Sequence, residues 1–214
     1  EVPLKMQEQG LDSTILRKMG IEPGKTPELG PWRNFLDRRH KATEIVNIGL
    51  VGKYDLQDAY KSILESLSQA GTYNDRKVVS HFINSEKLFE NNVEEKLKDM
   101  DGIVICPGFG QRGIEGKITA AKYCRNNNIP TFGICLGMQM MVIEFARDVL
   151  GYEDANSSEM DEKTSHNVID LMEEQKNVTN MGGSMRLGAY DCILKKGSKA
   201  YEAYGKEHIQ ERHR

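Results

Sequence analysis

The sequence predicts an α/β fold built on a doubly wound, mostly parallel sheet, and three observations carry that prediction. Short apolar runs at 45–51, 102–106 and 131–134 have the near-continuous hydrophobicity of strands buried on both faces. Stretches with apolar residues at helical spacing come after them. Glycine-bearing turns at 107–113 and 133–137 stand where strand gives way to helix, on the edge where such sheets hold ligands. Beyond residue 150 the strands shorten, which predicts short antiparallel additions to the main sheet.

Length and composition narrow the function classes. The chain of 214 residues suits one domain of ordinary size with an added arm. With 29% charged residues and a net charge of -3, it shows no basic surplus for nucleic acid or for an anionic bilayer. The cysteines at 106, 124, 135 and 192 form no close CxxC pair. That spacing argues against a zinc site and a disulfide framework, and fits a reducing, cytoplasmic setting. No apolar run reaches the length of a membrane span, and no signal peptide precedes the first strand. The opening Glu1-Val2-Pro3-Leu4, without Met, and the end at Arg214 read as a fragment or a processed chain.

Residues 1–43 differ in character from the rest of the chain. Two short helices are expected at 4–9 and 11–19, then a Gly/Pro-punctuated stretch at 20–31 and a charged run at 37–41. This segment is expected to be a linker or arm, anchored by packing of Trp32, Phe35 and Leu36, with Arg38 and Arg39 on a solvated face. The strand at 45–51 ends in Gly52-Lys53-Tyr54, which lacks the spacing of a phosphate-binding loop. Asp58 is expected to cap a helix carrying Tyr60, Ile63, Leu64 and Leu67 inward, and Gly71 to stop it. A second strand is expected at 76–83, a charged helix or pair of turns at 85–98, and the third strand at 102–106.

Pro107, Gly108, Phe109, Gly110, Gln111, Arg112 and Gly113 come next, with glycines that allow close backbone approach or positive φ. The helix at 114–127 should turn Ile118, Ala121 and Cys124 inward. Pro130 opens the strand that leads to Cys135, and the next helix runs to about Leu150. Its stripe of Met138, Met141, Val142, Phe145 and Val149, in a helix apolar nearly all round, predicts burial. Later come a polar loop at 155–159, strands at 166–172 and 189–194, a glycine-rich turn at 180–188, a short helix at 198–204 and a last extended segment at 207–210.

Cys135 sits where the strand period changes to the helix period. The partnerless N–H groups of the next helix's first turn lie beside such a residue and favour a thiolate, so the position suits a nucleophile. The plain alternative is a buried cysteine in a strand–helix elbow.

The string Gly133-Ile134-Cys135-Leu136-Gly137-Met138-Gln139 resembles the nucleophile elbow of the class I, triad-type glutamine amidotransferases. The strings at 51–54, 112–117, 154–159, 182–188 and 211–214 are similar to the CTP synthase branch of that family, and Glu1-Val2-Pro3-Leu4 and Gln9-Gly10 resemble the end of its synthetase domain. The resemblance implies residues 1–43 as an arm from a preceding synthetase domain and 44–214 as a glutamine amidotransferase domain, truncated at its C-terminal end. It implies hydrolysis of L-glutamine through a cysteine thioester, supplying ammonia for ATP-dependent amination of UTP to CTP. Cys135 would be the nucleophile, and Gly108 and Leu136 would form the oxyanion hole. Gly108, Leu136, Gly137, Met138, Gln139 and Glu159 would bind glutamine, with Glu159 on its amino group. Arg112 and Gly113 would face the synthetase domain and the activator GTP. No cofactor or metal is implied for this domain. ATP and Mg2+ would belong to the synthetase domain, and the whole enzyme would be a homotetramer, with this fragment able to stand as a monomer.

Two departures qualify the resemblance. The family usually shows Pro-Gly-Gly-Phe-Gly after the third strand, whereas this chain reads Cys106-Pro107-Gly108-Phe109-Gly110. Proline offers no N–H, and loss of one oxyanion donor costs about 3 kcal/mol in a comparable hydrolase. The family's His-Pro-Glu motif is also absent, and none of His40, His81, His166, His208 and His213 matches it. The alternative expectation is a non-catalytic glutaminase-like module with a regulatory or assembly role.

Overall fold

A computed structural model describes residues 1–54, 57–172 and 188–213. The glycine-rich turn expected at 180–188 lies outside the described residues except for Gly188.

Four strands form one parallel sheet: β1 (Ile45–Gly52), β2 (Lys77–Asn84), β3 (Gly102–Ile105) and β4 (Thr131–Gly133), in the order β2-β1-β3-β4. The apolar runs are two-sided because helices cover both faces. On one face Val51, Ile103 and Ile105 pack with Leu97 of α5 (Val93–Leu97) and with Ala120, Ala121 and Cys124 of α6 (Ile114–Asn126). On the other, Leu50, Val104 and Cys106 pack with Tyr60 and with Ile63, Leu64 and Leu67 of α4 (Lys61–Tyr73). Each fully buried Leu, Ile or Val contributes about 1.5–3 kcal/mol, so this alternation fixes the register of the sheet.

Several expectations are corrected. Asp58 lies in a 3-10 turn (Gln57–Tyr60), and Tyr60, not Asp58, precedes α4. Gly71 does not stop α4, which runs on to Tyr73. Its lack of a Cβ instead lets the chain return, since a Cβ there would stand 2.8 Å from both the Arg76 carbonyl oxygen and Val78 Cγ2.

The N-terminal segment contains α1 (Val2–Glu8), α2 (Leu11–Lys18) and a third helix, α3 (Gly30–Lys41), where a linker was expected. Pro31 in its first turn suits a helix start, and the basic residues 38–41 suit its C-terminal end. Of these three helices only Leu36 is buried. Arg38 is not simply solvated: its guanidinium makes two 2.9 Å hydrogen bonds to the Asp75 carboxylate and a 2.6 Å bond to the Tyr73 carbonyl.

The helix after β4, α7 (Leu136–Asp148), turns a different face inward from the one expected. Leu136, Met140, Ile143 and Ala146 are buried, whereas Met138, Val142, Phe145 and Val149 are exposed. Both faces are apolar, so periodicity could not choose between them. The inward face is the one whose Met140 and Ile143 meet Ile118 of α6. Glu144, also inward, is held by the Arg125 guanidinium at 2.7 Å.

Beyond α7, β5 (Asn156–Ser157) pairs with β6 (Asn167–Ile169) in parallel. β7 (Gly188–Ile193) and β8 (His208–His213) flank α8 (Lys199–Tyr204) and form an antiparallel pair. The antiparallel addition exists, but as a two-stranded sheet of its own, not as an extension of the main sheet.

Candidate active site

Glycines on both sides of Cys135 make its turn possible. Gly133 lies so close to the start of α7 that a Cβ there would stand 2.6 Å from the Met138 nitrogen and 2.7 Å from the Gly137 carbonyl carbon. A Cβ on Gly137 would run into the carbonyl of Ile105 in β3. Helix and strand therefore approach at backbone distance, and the residue between them is forced into an unusual conformation. Cys135 has φ 52° and ψ −112°, one of three non-glycine residues with positive φ among those described. Such geometry costs a non-glycine residue of the order of 1–3 kcal/mol and persists where the surroundings over-determine it. The thiol is exposed at the N-cap of α7, facing the positive end of a thirteen-residue helix.

The four free thiols are not equivalent. Cys106 and Cys124 are buried, and burial pushes the Cys106 thiol up to about 12 and also raises that of Cys124. Cys135 and Cys192 are exposed. Of these two, only Cys135 opens onto a pocket with other expected site residues among those described.

That pocket, about 330 Å³, is lined by Gly108, Phe109 and Gly110 from the loop after β3, and by Cys135, Leu136 and Gln139 from the elbow. Ser157 of β5 and Ser158, Glu159, Met160 and Glu162 of the segment after it also line the pocket, with Ile169, Asp170 and Leu171 at the end of β6. The structure thus brings together Gly108, Cys135, Leu136, Gln139 and Glu159. Gly137 and Met138 do not line it: Gly137 is buried against Ile105, and Met138 is half exposed. Glu159, Glu162 and Asp170 give the pocket an acidic character suited to a cationic amino group.

Arg112 and Gly113 lie elsewhere. Arg112 pairs with Glu86 at 2.9 Å, and Gly113, with φ 74°, caps α6. Gly113 lines a second cleft of about 570 Å³ with Ser85, Phe89, Gln111 and Glu115. Ser85 Oγ is buried there without a hydrogen-bond partner among the described residues.

Among the described residues, no histidine lines the Cys135 pocket. His81 meets Asn47 Oδ1 at 3.0 Å, and His166 sits against Asp154 at 2.5 Å under a stacked Tyr152 ring. Hydrogen bonds from Ser165 and His166 hold the Asp154 carboxyl well below the usual carboxylate range. Among the described residues no group of three or more His, Cys, Asp or Glu is arranged to hold a metal ion.

Two residues of the site escaped sequence reasoning: Lys53 and Lys117, both buried beneath the 107–110 loop. Lys53 Nζ donates to the Phe109 carbonyl, and Lys117 Nζ to the Cys106 carbonyl at 2.6 Å. Burial pushes both ammonium groups below the ordinary lysine value, that of Lys117 to about 8. A signal for Lys117 existed, since it falls at an inward position of α6, in helical step with Ala121 and Cys124.

Comparison with known proteins gives concordant results. The sequence model of the family "Glutamine amidotransferase class-I" matches residues 55–214. The chain is 74% identical over its whole length to a CTP synthase of Bacteroides thetaiotaomicron and 62% identical to one of Porphyromonas gingivalis, and it spans 40% of the length of each. Among solved structures, the glutaminase domain of Trypanosoma brucei CTPS with bound acivicin superposes with a TM-score of 0.71 at 38% identity, over 78% of this chain and 66% of that one. No helix among the described residues is long and apolar enough to cross a membrane.

Proposed function

The chain belongs to the class-I glutamine amidotransferase family, and from that premise we propose that it is the glutaminase part of a CTP synthase, releasing ammonia from L-glutamine for the ATP-dependent amination of UTP. The observation that carries the proposal is the single pocket in which a conformationally strained, exposed Cys135 faces the Gly108 loop and Glu159.

The chemistry follows from that arrangement. The Cys135 thiolate attacks the carboxamide carbon of glutamine and forms a C–S bond. The carbonyl oxygen becomes an oxyanion, and the N–H groups of Leu136 and Gly108, both in residues lining the pocket, are assigned to receive it. The tetrahedral adduct expels the protonated amide nitrogen as ammonia, leaving a glutamyl thioester. Water then attacks the thioester, releasing glutamate and restoring the thiol. Pro107 has no N–H, so Gly108 is the first donor the loop offers. Glu159 pairs with the substrate's ammonium and discriminates glutamine from uncharged amides.

The resemblance assigns the base that moves the proton to a His-Glu pair, and among the described residues no histidine lines the pocket. The remaining expectations belong to the longer protein: ATP and Mg2+ in a synthetase domain to which residues 1–43 lead, a homotetramer, and GTP as activator. The cleft at Gly113 carries Glu86, Glu90 and Glu115 beside Ser85, so the contact with GTP is assigned to Arg112 and Gly113 by resemblance and not by the character of that cleft.

The test uses the full-length protein. Cys135→Ala is expected to abolish glutamine-dependent CTP formation while ammonia-dependent formation stays within about twofold. Glutamine hydrolysis at the parent rate in this variant would refute the assignment of Cys135, whereas a full-length parent that releases no ammonia from glutamine would favour a non-catalytic module, the reading that the missing N–H of Pro107 supports.

A further inference from the structure

Lys117 occupies a place where an apolar residue would cost nothing. It lies one turn into α6, is fully buried, and is in step with the inward residues Ala121 and Cys124. Moving an ammonium from water into such a site is unfavourable, and a methionine of similar length would avoid the penalty. Its side chain instead reaches the end of β3, where Nζ holds the Cys106 carbonyl oxygen at 2.6 Å. The nitrogen of that same peptide belongs to Pro107, and Gly108 comes next. Three residues past Cys106, Lys53 from the end of β1 takes the Phe109 carbonyl. The stretch bearing Gly108 is thus gripped on both sides by ammonium groups from separate elements. Space around Gly108 is correspondingly short: a Cβ there would lie 3.1 Å from Lys53 Cε, 3.5 Å from Leu136 Cδ2 and 3.6 Å from Lys117 Nζ.

We propose that Lys117 is a positioning residue for the glutaminase site, its ammonium anchoring the Cys106 carbonyl and so setting the Gly108 N–H against the Cys135 thiol. The proposal rests on the glutaminase reading. It explains why a costly buried cation lies under this loop, and it places positive charge beneath the atoms that become anionic during the reaction. Oxyanion donors work only when fixed in advance, and a loop whose first position is a proline has one fewer N–H with which to compensate for drift.

Burial pushes the Lys117 ammonium down to about 8, which makes the role measurable. The titratable groups that bear on it are Lys53 from β1, the Cys106 thiol from the end of β3, and Cys135 from the elbow. Loss of the Lys117 proton lowers the rate, so the role shows as an alkaline decline in kcat.

In the full-length protein, Lys117→Met is expected to lower kcat for glutamine hydrolysis by roughly ten- to hundredfold, with KM within about threefold, and to remove the high-pH decline. Lys117→Gln, which retains a donor for the Cys106 carbonyl, should fall between the parent and the methionine variant. A folded Lys117→Met enzyme with kcat within about twofold of the parent, or with the alkaline decline intact, overturns the proposal. If neither variant folds, the parent profile decides: a fall in kcat centred near 8 supports the role, and a flat profile through that region overturns it. A parent enzyme that releases no ammonia would refute the glutaminase reading itself, and the Lys117 role with it. An active parent with an unaffected methionine variant would refute Lys117 alone.

Discussion

The two turns that meet across the Cys135 pocket are built by opposite means. The elbow at 133–137 is held by backbone: Gly133 and Gly137 let strand and helix touch, and the main chain leaves Cys135 in a strained conformation. The loop at 106–110 is held by side chains, with Lys53 and Lys117 reaching its carbonyls from β1 and α6. A backbone-built turn is rigid and intolerant, because no neighbour can move away. A turn gripped by side chains loses placement, not fold, when the grip is removed.

The largest expected effect breaks the elbow. Gly137→Ala sets a methyl group against the Ile105 carbonyl, a backbone atom of a central strand that cannot retreat. Expected is a loss of about 3–5 kcal/mol in stability, read from urea unfolding, together with loss of glutaminase activity. Retention of parent stability would mean that helix and strand do not meet at backbone distance.

Lys53→Met sharpens the other half of the comparison, with a smaller effect of a different kind. An apolar side chain of similar length replaces a buried ammonium, so the unfolding midpoint should hold or rise. Turnover should nevertheless fall about tenfold, because Gly108 loses one of its two anchors. A simultaneous loss of stability and of kcat would place Lys53 in the same class as Gly137 and dissolve the distinction.

The same contrast explains what could be read from the sequence. The elbow was legible because its causes are local: glycines two residues either side of a cysteine, at a change of period from strand to helix. The parallel sheet was legible for a similar reason, since strands 45–52 and 102–105 are apolar without needing a partner to explain them. The anchoring of the second loop was not, because Lys53 and Lys117 lie 64 residues apart and meet only after β1, β3 and α6 pack. Their cost as buried charges is invisible until burial is known. The face of α7 was misjudged because Met138, Val142 and Phe145 are as apolar as Met140 and Ile143. The choice fell to tertiary contact with Ile118. The Gly/Pro-punctuated stretch at 20–31 suggested a linker, but Pro31 stands in the first turn of α3, where its missing N–H is harmless.

The central claim, that Cys135 is the nucleophile of a glutamine-binding pocket, is tested most directly by labelling. The full-length protein, treated with an electrophilic glutamine analogue and mapped by mass spectrometry, offers two exposed thiols in this chain, Cys135 and Cys192, and two buried ones. The account predicts a single adduct on Cys135, suppressed by excess glutamine and slowed in Lys117→Met. An adduct on Cys192, or equal labelling of both exposed cysteines without protection by glutamine, would contradict it.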